Sequence, residues 1–115
     1  MIKIFQETMK KYIITTITFL YISISVFAQN AIISGTVIDA STRKPIEFTN
    51  VTLLLQEKDS LIKGTVTDDK GVFILENIPN GNYSLKIKFI GYKDYKQDIN
   101  IVPEKTSYKL PEIKL

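Results

Sequence analysis

Three aspartates, four tyrosines and four lysines are the side chains from which this chain could build chemistry. Asp68 and Asp69 are adjacent carboxylates, the residue type used for general acid and base work. They stand in Thr67-Asp68-Asp69-Lys70-Gly71, however, where a turn selects Asp to accept from backbone N–H groups and Gly to supply positive φ. Asp39 joins them as a source of loop oxygens of the kind a hard cation takes, but the spacing of a calcium-binding loop is missing. With no His and no Cys, His-based triads, thiol nucleophiles and the usual zinc sets cannot be assembled. The reading is that no residue is catalytic, none holds a metal and none holds a cofactor.

Tyr83, Tyr92, Tyr95 and Tyr108 could stack on a sugar. Tyr83 alternates with core residues and is read as buried; Tyr92 and Tyr95 flank Gly91 and are the two that could be exposed, but core or rim packing is the favoured reading of the set. Lys86, Lys88, Lys93 and Lys96 form a basic stripe. Its default reading is a solvated outer face that blunts edge pairing; an anionic, phosphate-bearing partner such as a lipopolysaccharide is the sharper one. Asn50 and Asn82 begin Asn-x-Ser/Thr triplets, read as coincidence.

The elements that must position these side chains begin after an export signal. Lys10 and Lys11 give a positive start, the 16 residues Tyr12 to Phe27 carry no charge, and Val26-Phe27-Ala28 sets cleavage between Ala28 and Gln29. Met9 would itself serve as a start, making residues 1–8 an over-extended gene start. The apolar run is shorter than the ~20 residues a spanning helix needs. Residues 1–28 are thus assigned to the signal and residues 29–115 to one domain. Setting aside Lys3, Lys10, Lys11 and Glu7 leaves 12 of the 15 basic and 11 of the 12 acidic residues, net +1, so no nucleic-acid face is indicated.

From Ala31 onward hydrophobicity alternates on period two and nowhere sustains period 3.6. Ile33, Gly35 and Val37 share one face of a first strand. Val51, Leu53 and Leu55 share one face of a second, and Ile62, Gly64 and Val66 mark a third. Phe73 and Leu75 are the inward pair of a fourth. Tyr83, Leu85, Ile87 and Phe89 face inward from a fifth, against a wet face of Ser84, Lys86 and Lys88. Gly91 suggests a bulge or a close backbone approach. Tyr95 to Val102 and Tyr108 to Leu115 supply the last two strands. Seven short strands with turns between them predict an all-β, antiparallel two-sheet sandwich.

The ordered series Gly35-Thr-Val, Lys44-Pro-Ile, Asn50-Val-Thr-Leu, Thr67-Asp-Asp-Lys-Gly-Val-Phe, Ile78-Pro-Asn-Gly-Asn-Tyr83 and Ile90-Gly-Tyr resembles the carboxypeptidase-regulatory-like domain over residues 32–102. The resemblance implies a transthyretin-like (prealbumin-like) seven-stranded Greek-key sandwich. In Bacteroidetes-type bacteria this module precedes the plug and barrel of TonB-dependent outer-membrane receptors. It therefore implies a non-catalytic docking domain, exported to the periplasm and associated with the outer membrane if part of a receptor. Its partner would be a protein of the envelope, either the plug and barrel or a surface lipoprotein, and the membrane would be met only through the signal or a missing barrel. A carbohydrate- or ligand-binding sandwich and the regulatory domain of a peptidase are the alternatives. The apolar close, Pro111-Glu-Ile-Lys-Leu115, is read as a cut-short receptor whose open terminal strand invites association.

Overall fold

A computed structural model describes residues 2–22 and 30–115. The cleavage position expected at Ala28 and Gln29 lies outside them. Helix α1 (Ile2–Ile22) begins well before Lys10, so helix also covers the stretch ahead of Met9. Its Thr8, Thr15, Thr16 and Thr18 hydroxyls bond back to carbonyls one turn earlier, which lets these β-branched residues sit in a helix. Among the described residues no helix is long and apolar enough to cross a membrane; a β-barrel crosses with strands and is not covered by that statement.

Residues 31–115 contain strands and turns only. The strands are β1 (Ala31–Ile38), β2 (Asn50–Leu55), β3 (Leu61–Val66), β4 (Val72–Ile78), β5 (Gly81–Lys88), β6 (Tyr95–Ile101), β7 (Ser107–Lys109) and β8 (Ile113–Lys114). One sheet runs β3-β2-β5-β6, all antiparallel. In the other, β1 lies between β4 on one side and β7 followed by β8 on its second side. The core fills the space between the sheets with Ile33, Val37, Val51, Leu53, Phe73, Leu75, Leu85 and Ile87, all buried. These are the alternating positions of each strand, as a two-sheet core requires.

Two expectations are corrected here. There are eight strands, because the segment from Tyr108 to Leu115 is divided: Pro111 has no N–H to give, and three residues, Leu110 to Glu112, pass only two on β1 between the paired stretches. The sandwich is also not wholly antiparallel, since β7 and β8 run parallel to β1. The reason is where β6 leaves the chain. Ile101 pairs with Gly81, and Ala31 pairs with Ile78, so β6 ends where β1 begins. A five-residue crossing then allows the chain only to run alongside β1 in the same direction. Leu110 N–H donates to Ser34 O (2.9 Å) and Leu115 N–H to Ile38 O (2.9 Å), holding it there.

Candidate docking surface

The candidate surface is the end of the sandwich that carries the ends of β1, β3, β5 and β8. The turn after β3 behaves as its residue types require. Asp68 Oδ1 accepts from Lys70 N–H and Val72 N–H (both 2.9 Å), and Gly71 N–H donates to Asp68 O (3.0 Å). Gly71 has φ +73°, and its carbonyl receives Val37 N–H (2.8 Å), pinning the turn to β1. Asp69 is exposed beside it. Asp68 is the turn cap, and among the described residues no three acidic side chains gather into a metal-sized cluster.

Asp39 does equivalent work 53 residues from its partner. Its Oδ1 accepts from Ser41 N–H (2.7 Å) and Thr42 N–H (2.9 Å), while Oδ2 accepts from the Tyr92 hydroxyl (2.5 Å). The Tyr92 bond, then the two backbone bonds, hold the Asp39 carboxyl below the usual carboxylate range; the same bond pushes the Tyr92 phenol up. Tyr92 leans on Phe89, ring centroids 5.8 Å apart. Tyr92 and Tyr95 are both half-buried against the core, which is the rim packing favoured over an exposed pair. Gly91 is neither bulge nor close approach. Its φ of +90° and the Tyr92 N–H to Phe89 O bond (3.1 Å) are those of a type II turn, and nothing lies where its Cβ would be.

The other tyrosines are also committed. Tyr83 is buried, donates to Pro79 O (2.8 Å), and has its phenol pushed up by desolvation. Tyr95 donates to Gln97 Oε1 (2.7 Å), and Tyr108 accepts from Val102 N–H (3.0 Å) with Lys105 over its ring. No sugar-stacking platform is assembled from these four. The wet face of β5 holds one exception, Ser84, only 2% exposed because its hydroxyl donates to Asp98 Oδ1 (3.0 Å), which Gln56 also reaches.

What this end does present is apolar. Asn50 pairs with Val66 on one side and Lys88 on the other, so three adjacent strand ends line up. Phe48 stands two residues before Asn50, and Ile90 two after Lys88. Ile90 is 95% exposed, Phe48 67% and Val66 49%. Phe48 also has φ +59°, an uncommon conformation for a bulky residue. A buried knot fixes it: Thr67 Oγ1 donates to Ile46 O (2.6 Å) and accepts Thr49 N–H (2.9 Å), while Phe48 N–H donates to Thr67 O (3.0 Å). Sequence reasoning passed over Phe48, whose only signal was its place directly before the buried Thr49. The lysines lie on the adjoining outer face, where Lys88 pairs with Asp94 at 3.4 Å. A hollow of about 490 Å³ along α1, between Ile4, Phe5, Thr8, Met9 and Tyr12, is helix surface on which little polar chemistry converges.

A sandwich whose polar residues are spent on turns, and whose exposed features are apolar tips and surface lysines, has the character of an accessory domain. The profile of the CarboxypepD_reg-like domain matches residues 33–114, and the chain belongs to that family. Solved structures share the fold at low identity. The major pilin subunit BcpA of Bacillus cereus is 19% identical with a TM-score of 0.56, over 75% of this chain and 30% of the pilin. The 5-hydroxyisourate hydrolase of Klebsiella pneumoniae is 20% identical with a TM-score of 0.55, over 73% of this chain and 84% of the enzyme. The Bacillus anthracis TIE protein is 18% identical with a TM-score of 0.61, over 71% and 16%. The chain thus spans less than a third of the pilin it matches. No curated protein matches the sequence.

Proposed function

We propose that residues 29–115 are a non-catalytic docking domain of an exported envelope protein, following a signal that is cleaved between Ala28 and Gln29. In this reading it is the N-terminal extension of a TonB-dependent receptor, with prealbumin-like Greek-key winding, located in the periplasm at the outer membrane. Its partner is an envelope protein, the plug and barrel or a surface lipoprotein. The observation that supports docking is the row of Phe48, Val66 and Ile90 at one end of one sheet. Exposed apolar tips on a rigid frame with a polar rim are the usual anchors of protein–protein contact. The frame is rigid because the Thr49–Thr67 knot holds Phe48 and a hydrogen-bonded turn holds Ile90.

The test has two arms. Mass spectrometry of the exported protein should give a chain beginning at Gln29; an intact Met1 or Met9 terminus in the exported fraction contradicts the signal. The reading frame beyond the Leu115 codon should encode a plug and barrel. A zinc-peptidase frame there would replace the receptor reading with that of a peptidase's regulatory domain.

A further inference from the structure

Lys86 and Lys96 face each other directly across β5 and β6. Their Cβ atoms are held about 5 Å apart by the ladder, an arrangement that disfavours like charges. The chain places an acid two residues to either side, yet neither serves the pair. Asp94 is ion-paired with Lys88. Asp98 gives one carboxylate oxygen to Ser84 and the other to Gln56 (3.3 Å). Thr52, the remaining neighbour of Lys86 on the outer face, directs its hydroxyl to the Lys86 carbonyl (3.4 Å). Among the described residues, Lys86 and Lys96 thus have no ion-pair partner. Between them opens a cleft of about 190 Å³ lined by Lys86, Lys88, Asp94, Tyr95 and Lys96. That is room for roughly six waters, enough for a tetrahedral oxyanion and part of its hydration.

We propose that this cleft binds a phosphate monoester. Lys86 and Lys96, opposite one another on facing strands and both lining the cleft, supply the two charges for one anion, while Asp94 in the same lining is neutralised by its ion pair with Lys88. Binding replaces like-charge repulsion with two charge-assisted hydrogen-bonded contacts. The inference stands independently of the docking reading, which concerns the apolar end.

The test uses the full chain and inorganic phosphate. Phosphate should raise Tm above the value in sodium chloride of equal ionic strength, because a ligand of the native state stabilises it by mass action while screening is matched. K86Q/K96Q should weaken phosphate affinity about tenfold or more and abolish that extra shift. In low salt without phosphate, K96Q alone should raise Tm, since it removes the repulsion; Lys114→Gln should change neither result. Vesicles of phosphatidylcholine with and without phosphatidic acid identify the source. Sedimentation with phosphatidic acid, lost in K86Q/K96Q, assigns a lipid headgroup; a phosphate shift without sedimentation assigns a soluble phosphate ester. Phosphate acting no differently from chloride overturns the site. So does a phosphate shift that survives K86Q/K96Q, whereas vesicle binding that survives it belongs to α1 and, with the phosphate shift lost, leaves the soluble-ester assignment standing.

Discussion

The Phe73 ring occupies the space a side chain on Gly35 would need. A Cβ built on Gly35 would lie 2.7 Å from Phe73 Cζ and 2.8 Å from Cε1, and the two residues are direct partners in the β1–β4 ladder. Gly at this inward position of the central strand is thus a packing requirement, and the ring replaces the missing side chain at the centre of the core. Gly35→Ala should destabilise by about 1–3 kcal/mol through overpacking, and Phe73→Ala by about 3–5 kcal/mol through the cavity. Urea unfolding of each variant checks both. The double variant should recover part of the Gly35→Ala loss, because the clash disappears with the ring.

Two other glycines carry opposite expectations. Gly71 has φ +73°, and a Cβ there would drive into the Val37 carbonyl. Gly71→Ala should therefore lower stability by at least about 1 kcal/mol. Gly64 lies in the edge strand β3, where the nearest atom to a Cβ is 3.7 Å away. Gly64→Ala should stabilise by about 0.4–1 kcal/mol, through the lost freedom of the unfolded chain. Thermal melts giving both changes the same sign would refute the contrast.

The Thr67 hydroxyl is buried and bonds at once to Ile46 O and Thr49 N–H. Thr67→Val keeps the shape and leaves both groups without that partner, so a loss of about 1–3 kcal/mol is expected. The Phe48 loop should loosen with it, visible as faster amide exchange at Phe48 and Thr49 relative to β5.

Local signals were legible in the chain and distant ones were not. The Asp68–Gly71 turn could be read because both its donors and its acceptor lie within five residues. The inward faces of β2, β4 and β5 followed from strict alternation. The Asp39 partner of Tyr92 was not legible because it lies far away along the chain, and Ser84 was misplaced because Asp98 covers it from the next strand. The parallel course of β7 and β8 has no periodicity signature of its own. It depends on which end of the sandwich β6 finishes, which only the assembled sheets determine.

The Asp39–Tyr92 bond makes stability pH-dependent at both extremes. Asp39 is lowered in the folded state, so its contribution is present above the unfolded carboxylate pKa and is lost as pH falls through the lower, folded value. Tyr92 is raised, so its contribution is present below the unfolded phenol pKa near 10 and is lost as pH climbs through the folded one. Tyr92→Phe should flatten the acid limb and part of the alkaline limb of a plot of Tm against pH. An alkaline remnant should persist from Tyr83, whose phenol is raised by burial. Asp39→Asn should remove the Asp39 share of the acid limb more completely, because the amide does not titrate even though its Oδ1 can still accept from Ser41 N–H and Thr42 N–H.

The open edge of the β1 sheet gives the last expectation. Sequence alone suggested one long apolar terminal strand prone to association. The structure offers β7 and β8, three and two residues long, interrupted at Pro111. Short, broken edges template a second chain poorly, and Ile113 is buried against the core, where it cannot reach a partner. Pro111 should therefore act as a guard. Pro111→Val restores a backbone donor and β-propensity at the break, so it should increase dimer formation, read by sedimentation velocity over a concentration series. Ile113→Asp tests the complementary half: it should detach β8 from Val37 and Ile38, lower Tm by several degrees and raise association by uncovering β1. If Pro111→Val sediments as the parent chain does at every concentration, the edge is protected by something other than the proline.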